Sequence, residues 1–409
     1  MYINKNEIQI NNKKSIVFLL ISLFVFSQEL RVGIIGNKFS NINILALVSL
    51  GVLVIKNFRK INKKKLMLLQ LTILIYISTS MIYENKIITI INFIVAFIIP
   101  LILVIVEVDN NTIEYAFKIT IIILNLIILI ITIIGILEMI FHININPIIS
   151  NFMSERTREQ IIESSMSTQD KRLYSFMGHP LFNTELYLMF FILNNLYSKY
   201  IKKQQCPLWI LAVAVVGIAF TGSKTGIILL CVSTITLFKC SNKLKKLLTI
   251  ICGSFIALES GLLDTLMSRF TSGSLTTGRS EMWDEIQSLN LYPIKFFTGY
   301  GLGFTFTFNS YLTYASAAYE YPIRMFSLEI GMLTAIMIYI FLFAIPTIVL
   351  IRRKHIYIYI CYLVIFLDVN TFNGLSTSGD KMLIFSFFIF LILNLSKLLK
   401  EEQLAKKSN

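Results

Sequence analysis

His179 stands in the run Arg172-Leu-Tyr-Ser-Phe-Met-Gly-His179-Pro180-Leu-Phe-Asn183, and proline suits the first turn of a helix, so the histidine marks a helix start. A helix start presents unpaired N–H groups and a positive dipole end, which favour a phosphate; capping the helix is the alternative use of the same residue. Lys224 interrupts apolar sequence in Phe220-Thr-Gly-Ser-Lys224-Thr-Gly226, where the flanking glycines permit close backbone approach. It either snorkels to a membrane interface or serves as a cation for an anionic ligand. Gly-Ser-Lys-Thr ends like a phosphate-binding loop, but Ser223 stands where that motif requires glycine. Downstream of Arg279, the residues Met282, Trp283, Ile286 and Leu289 fall on one helical face, with Arg279, Glu281, Asp284 and Glu285 opposite. The spacing predicts a short amphipathic helix near 279–290 lying in a membrane interface. Arg279 then sits in a first turn, where the helix dipole does not favour a cation, and either an ion pair or a ligand compensates it.

These residues belong to a chain of 409 residues that is 56% hydrophobic and 15% charged, with mean hydropathy +0.73. That is more apolar surface than one soluble core buries, and it predicts an all-α polytopic membrane protein with one transmembrane domain over 1–409. With about 20 apolar residues per span, twelve spans fit at 16–35, 41–57, 66–83, 87–106, 117–141, 182–198, 207–221, 225–239, 246–263, 323–351, 356–372 and 382–398. The polar first 15 residues lead into span 1 without a small-residue cleavage site, so that span reads as retained. With the N-terminus in the cytoplasm, 24 of the 37 Lys and Arg residues fall on the inner side. The prediction is therefore N-in, C-in, with two long extracytoplasmic loops at 142–181 and 264–322. The net charge of +14 marks a membrane face rather than a nucleic-acid partner.

The five cysteines show no CxxC spacing, and no D-x-D pair occurs, so neither a disulfide framework nor a metal or other cofactor is expected. The spans show no half-to-half repeat, which weighs against a secondary transporter. The second loop is rich in aromatics with polar edges, among them Trp283, Tyr300, Tyr311 and Tyr321, which suit either sugar stacking or an interfacial belt. Gly299-Tyr-Gly301-Leu-Gly303 reads as a tight turn. Glu320, Glu329 and Asp380 are the carboxylates near the outer face, and Glu329, inside the predicted tenth span, is costly there unless paired or facing a cavity.

Three segments, Arg172 to Asn183, Thr221 to Gly226, and Gly278-Arg279 through Trp283 with the later Gly299-x-Gly301-x-Gly303, together resemble the O-antigen polymerase and O-antigen ligase families. The resemblance covers about residues 172–331. It implies a GT-C-like glycosyltransferase that uses a polyprenyl-pyrophosphate-linked oligosaccharide in the bilayer, without a metal. Flippase and chain-length regulator proteins of a lipopolysaccharide or capsule pathway would be its partners. Arg172, Lys224 and Arg279 would bind the pyrophosphate, and Trp283, Asn309 and Tyr311 the sugar. The families carry a histidine directly before an Asn-Ser-Tyr-Leu-like stretch; here the stretch is Asn309-Ser-Tyr311-Leu and Phe308 precedes it. His179 or Glu320 is then left to assist the acceptor hydroxyl, the histidine being a usable base near neutral pH without burial.

Overall fold

The computed structural model describes residues 5–36, 42–82, 86–166, 172–237, 283–284, 287–288, 290, 292–305, 321–372, 374–375 and 380–408. Runs of Ile, Leu and Phe this long satisfy their backbone only as helices when no water is present, and the described residues contain helices and turns with no strand. The elements that matter below are α1 (Lys5–Leu20), α2 (Gln28–Ile35), α3 (Ile44–Asn57), α4 (Lys63–Ile82), α5 (Ile87–Val104) and α6 (Asn110–Met139). They continue with α7 (Asn146–Ser150), α8 (Glu155–Met166), α9 (Pro180–Leu196), α10 (Leu208–Thr221) and α11 (Lys224–Thr236). The last four are α12 (Pro322–Glu329), α13 (Met332–Arg352), α14 (Ile356–Thr371) and α15 (Lys381–Ser408). Helices α4, α5, α6, α13 and α15 are long and apolar enough to cross a membrane. The apolar helices α10, α11 and α14 are shorter.

Two of the expected spans are broken. The first bends by 79° between Val25 and Gln28. Ser27 starts a new helix there: its hydroxyl accepts from Leu30 N at 3.4 Å and donates to the Phe176 carbonyl at 2.8 Å. The tenth expected span divides at Ile330-Gly331, where Gly331 adopts φ +84°. Backbone there bonds to a passing segment instead of to its own helix: Met332 N donates to Lys295 O at 3.0 Å, and Tyr300 N to Leu328 O at 2.7 Å. The expected ninth span, 246–263, lies outside the described residues.

Polar contacts sort the connections into two ends. At one end, Lys60 pairs with Asp109, Glu107 with Lys397 (3.0 Å) and Arg353 (3.9 Å), and Asn110 bonds Glu401 at 3.0 Å. At the other, Arg31 grips Asp380 with two bonds of 2.6 and 3.0 Å, and Arg172 reaches the α10–α11 turn. Helix α15 forms the axis between them, with 94% of its apolar stretch buried. Its Asn394 accepts from Val108 N at 3.0 Å and donates to Val106 O at 3.1 Å, fastening the end of α5.

Proline accounts for one irregularity and leads to a test. Pro346 in α13 has no N–H, so the carbonyl four residues earlier, Leu342, loses its helical donor. The Tyr362 hydroxyl of α14 donates to that carbonyl from within the core. Tyr362→Phe therefore strands a buried carbonyl and is expected to lower stability by about 1–3 kcal/mol, read as a fall in the thermal midpoint of the detergent-solubilised protein. An unchanged midpoint would refute this account of the α13–α14 contact.

Candidate functional site

The segment before α9 is held in place by a chain of buried polar groups. Glu138, at the end of α6, accepts from both the backbone and the side-chain amide of Asn146. Asn146 Oδ1 in turn accepts from Ser175 N at 3.1 Å. Ser175 adopts φ +55°, a left-handed conformation that costs about 1–3 kcal/mol without support. Its hydroxyl donates to Asn183 Oδ1 at 3.0 Å, while Asn183 Nδ2 donates to the carbonyls of Leu173 and Tyr174 at 2.8 and 2.9 Å. Asn183, in the first turns of α9, thus folds residues 173–175 back against its own helix.

That fold presents Arg172 to the turn between α10 and α11. Leu173 N donates to Phe220 O at 3.0 Å, and Arg172 Nε to Thr221 O at 2.8 Å. Gly222 ends α10 in the left-handed conformation, Ser223 caps α11 by accepting from Gly226 N at 3.0 Å, and Lys224 is the first residue of α11. The start of α11 lies against the start of α9. Thr184 Oγ1 donates to Thr221 Oγ1 at 2.8 Å, and a methyl group on Gly226 would fall 2.3 Å from Thr184 Cγ2, so only glycine permits the approach. Two helix N-termini and two cationic residues therefore share one corner of the bundle, an arrangement whose dipoles and charges favour an anion.

His179 caps α9. Its Nδ1 accepts from Leu181 N at 3.2 Å, and in the neutral ring this leaves the proton on Nε2. So held, the exposed imidazole offers Nε2 as a donor.

Of the sequence-predicted site residues, Arg172, Lys224 and His179 lie in this corner. Arg279, Asn309, Tyr311 and Glu320 lie outside the described residues, as does most of the expected 279–290 helix, of which 283–284 and 287–288 are helical. Trp283 lies under the Arg324 guanidinium, 4.9 Å from its ring centre, and the same guanidinium is 4.7 Å from the Tyr321 ring. Sequence reading passed over Arg324. Its signal was an arginine in the first turn of an apolar stretch opened by Pro322.

Two of the three outer carboxylates singled out in the sequence are already engaged. Asp380 is gripped by Arg31 and also accepts from Asn43 Nδ2 at 3.2 Å. Glu329 Oε1 accepts from the Thr305 hydroxyl at 2.5 Å and from Thr305 N at 3.3 Å, so the residues after the Gly299–Gly303 turn partner one oxygen of this carboxylate, while Oε2 is buried with no hydrogen bond among the described residues. Deeper in α9, Glu185 is fully buried, with neither carboxyl oxygen hydrogen-bonded among the described residues. A cavity of ≈ 350 Å³ opens at the opposite end, its lining including two bases, Lys60 and Lys397, and two acids, Asp109 and Glu401. The chain matches no protein-family model, and neither a curated protein nor a solved structure matches it.

Proposed function

We propose that this chain is a polysaccharide polymerase of the O-antigen or capsule type, acting on polyprenyl-pyrophosphate-linked oligosaccharide repeats at the outer face of a bacterial cytoplasmic membrane. The observation that carries the reading is the corner in which Arg172 bonds the Thr221 carbonyl, three residues before Lys224, beside the N-terminus of α9. An acceptor hydroxyl attacks the anomeric carbon of the lipid-linked sugar. The bond from that carbon to the pyrophosphate oxygen breaks, its electron pair leaves with the pyrophosphate, and the hydroxyl proton passes to a base. The protein must therefore neutralise charge growing on the pyrophosphate and hold a proton acceptor nearby. Arg172 and Lys224 take the first task, with Arg279 from the large loop. His179, its Nδ1 occupied by Leu181 N, donates from Nε2 to a phosphate oxygen. The aromatic groups of the loop, Trp283 and Tyr311, with Asn309, hold the sugar.

The twelve-span, N-in/C-in topology belongs to the same reading. The corner lies at the end of the bundle opposite Lys60, Arg353 and Lys397, and the excess of basic residues assigns their end to the cytoplasm. Deleting the gene and resolving the surface glycan on a gel tests the reading. A polymerase is expected to leave a single repeat on the glycan carrier and abolish the long-chain ladder. Loss of all carrier-attached glycan while lipid-linked polymer accumulates would instead assign a ligase, with the same cations and another acceptor. Lipid-linked repeats trapped on the inner leaflet would assign a flippase, and an unchanged ladder would overturn the proposal.

A further inference from the structure

The transfer needs a proton acceptor, and several carboxylates described at this end of the bundle are engaged or enclosed. Asp380 holds Arg31, Glu138 holds Asn146, Glu329 holds Thr305, and Glu185 has no exposed surface. Glu155, Glu159 and Glu163 of α8 are exposed. Glu29 also accepts hydrogen bonds, but it is half-buried and lies against the segment that carries His179. It sits in the first turn of α2, the short helix that the 79° bend turns away from α1. Its Oε2 accepts from the Ser154 hydroxyl at 3.0 Å and from the Thr157 hydroxyl at 2.8 Å, and the residue is half-buried. Its side chain fills the place of the missing Cβ of Gly178: a methyl group there would fall 2.4 Å from Glu29 Cγ and 3.2 Å from its carboxyl carbon. The carboxylate is thus packed against the residue before His179.

Two further contacts keep α2 in that position. The Ser27 hydroxyl donates to Phe176 O at 2.8 Å, in the same segment as Gly178 and His179. Arg31, one turn along, is fixed by Asp380 and also donates to Phe26 O at 2.8 Å. Hydroxyl donors, a packed glycine and an ion pair together orient one carboxylate against Gly178, next to His179 at the start of α9. We infer that Glu29 is the proton acceptor for the attacking hydroxyl, with Ser154 and Thr157 as the residues that position it. This assignment rests on the transferase reading above. The proton moves from the hydroxyl oxygen to the Glu29 carboxylate as the new glycosidic bond forms, and the leaving pyrophosphate carries away the electron pair of the broken bond.

Glu29→Gln separates the chemistry from the packing, because the amide oxygen still accepts from Ser154 and Thr157 while the group no longer takes up a proton at working pH. With purified full-length protein and a lipid-linked repeat unit, kcat is expected to fall about 10²–10⁴-fold. KM for the lipid-linked donor and the thermal midpoint are expected to stay at wild-type values. Glu29→Asp, which keeps an acid one methylene short, should retain more turnover than Glu29→Gln. Wild-type turnover in Glu29→Gln, or a loss shared equally by KM and the thermal midpoint, overturns the assignment and leaves the transferase reading intact. A wild-type protein that forms no polymer overturns that reading and this assignment together.

Discussion

Replacing Asp380 with leucine is expected to destabilise the folded protein by about 3–5 kcal/mol. Arg31 is only 9% exposed, and Asp380 only 5%. The guanidinium makes two bonds to the carboxylate, of 2.6 and 3.0 Å. Removing the acid leaves a buried cation whose desolvation is no longer offset, and Asn43 Nδ2 loses one acceptor as well. Thermal unfolding in detergent of Asp380→Leu, Arg31→Met and the double variant forms the test cycle. Each single variant should lose several kcal/mol, and the double variant should recover most of the loss, since an apolar pair of similar volume carries no stranded charge. Additive losses would show that the two residues do not act as a pair. Because the pair fastens α2 to the start of α15, the single variants should also loosen the Glu29–Gly178 contact.

The second large effect concerns activity. Under the proposed reaction, Lys224→Met is expected to lower kcat by about 10²–10³-fold, the range for deleting one group aimed at charge that develops in the transition state. Lys224 opens α11, where the capping bond from Gly226 N to Ser223 Oγ does not involve the lysine side chain, so the helix itself should persist. Arg172→Lys should be comparably harmful. The arginine Nε is committed to the Thr221 carbonyl at 2.8 Å, and a lysine ammonium cannot both keep that bond and present a guanidinium fork to phosphate. Initial rates with a lipid-linked repeat decide the matter; a loss below about threefold in either variant would remove that residue from the pyrophosphate site. Such a result at Lys224 would favour the snorkelling use of the lysine.

Much of the local architecture was legible in the residues. Pro180 placed the start of α9, with His179 immediately before it, because a proline ring pre-sets the first helical turn. Ser223 and Lys224 placed the start of α11, although the sequence alone left two uses open for the lysine. The three-glycine run formed a turn, with Gly301 and Gly303 both at positive φ. Less legible were the breaks. Hydropathy averages over a window, so Ser27-Gln-Glu-Leu-Arg31 was absorbed into an apolar run and Gly331 into the next long one. The signal was present in each case, as four polar residues close together inside a predicted span and as a glycine able to adopt φ +84°.

The sequence by itself determined that this chain forms apolar helices of membrane-spanning length, where several of them begin, and that its basic residues crowd certain connections. Those properties follow from side-chain hydrophobicity and local backbone chemistry, which act over a few residues. Only the tertiary structure decided which polar groups satisfy one another. It joined Arg31 to Asp380, 349 positions away; it tied Glu329 to Thr305 and set Glu29 against Gly178. It also brought Arg172 to the turn before Lys224. Such pairings depend on the axial register and rotation of one helix against another, and many registers bury equal apolar area in a chain so uniformly hydrophobic. The choice among them falls to the few polar side chains whose burial without a partner costs several kcal/mol, on the order of the water-to-apolar transfer of an unpaired polar group, and their partners are fixed only when the whole bundle is assembled.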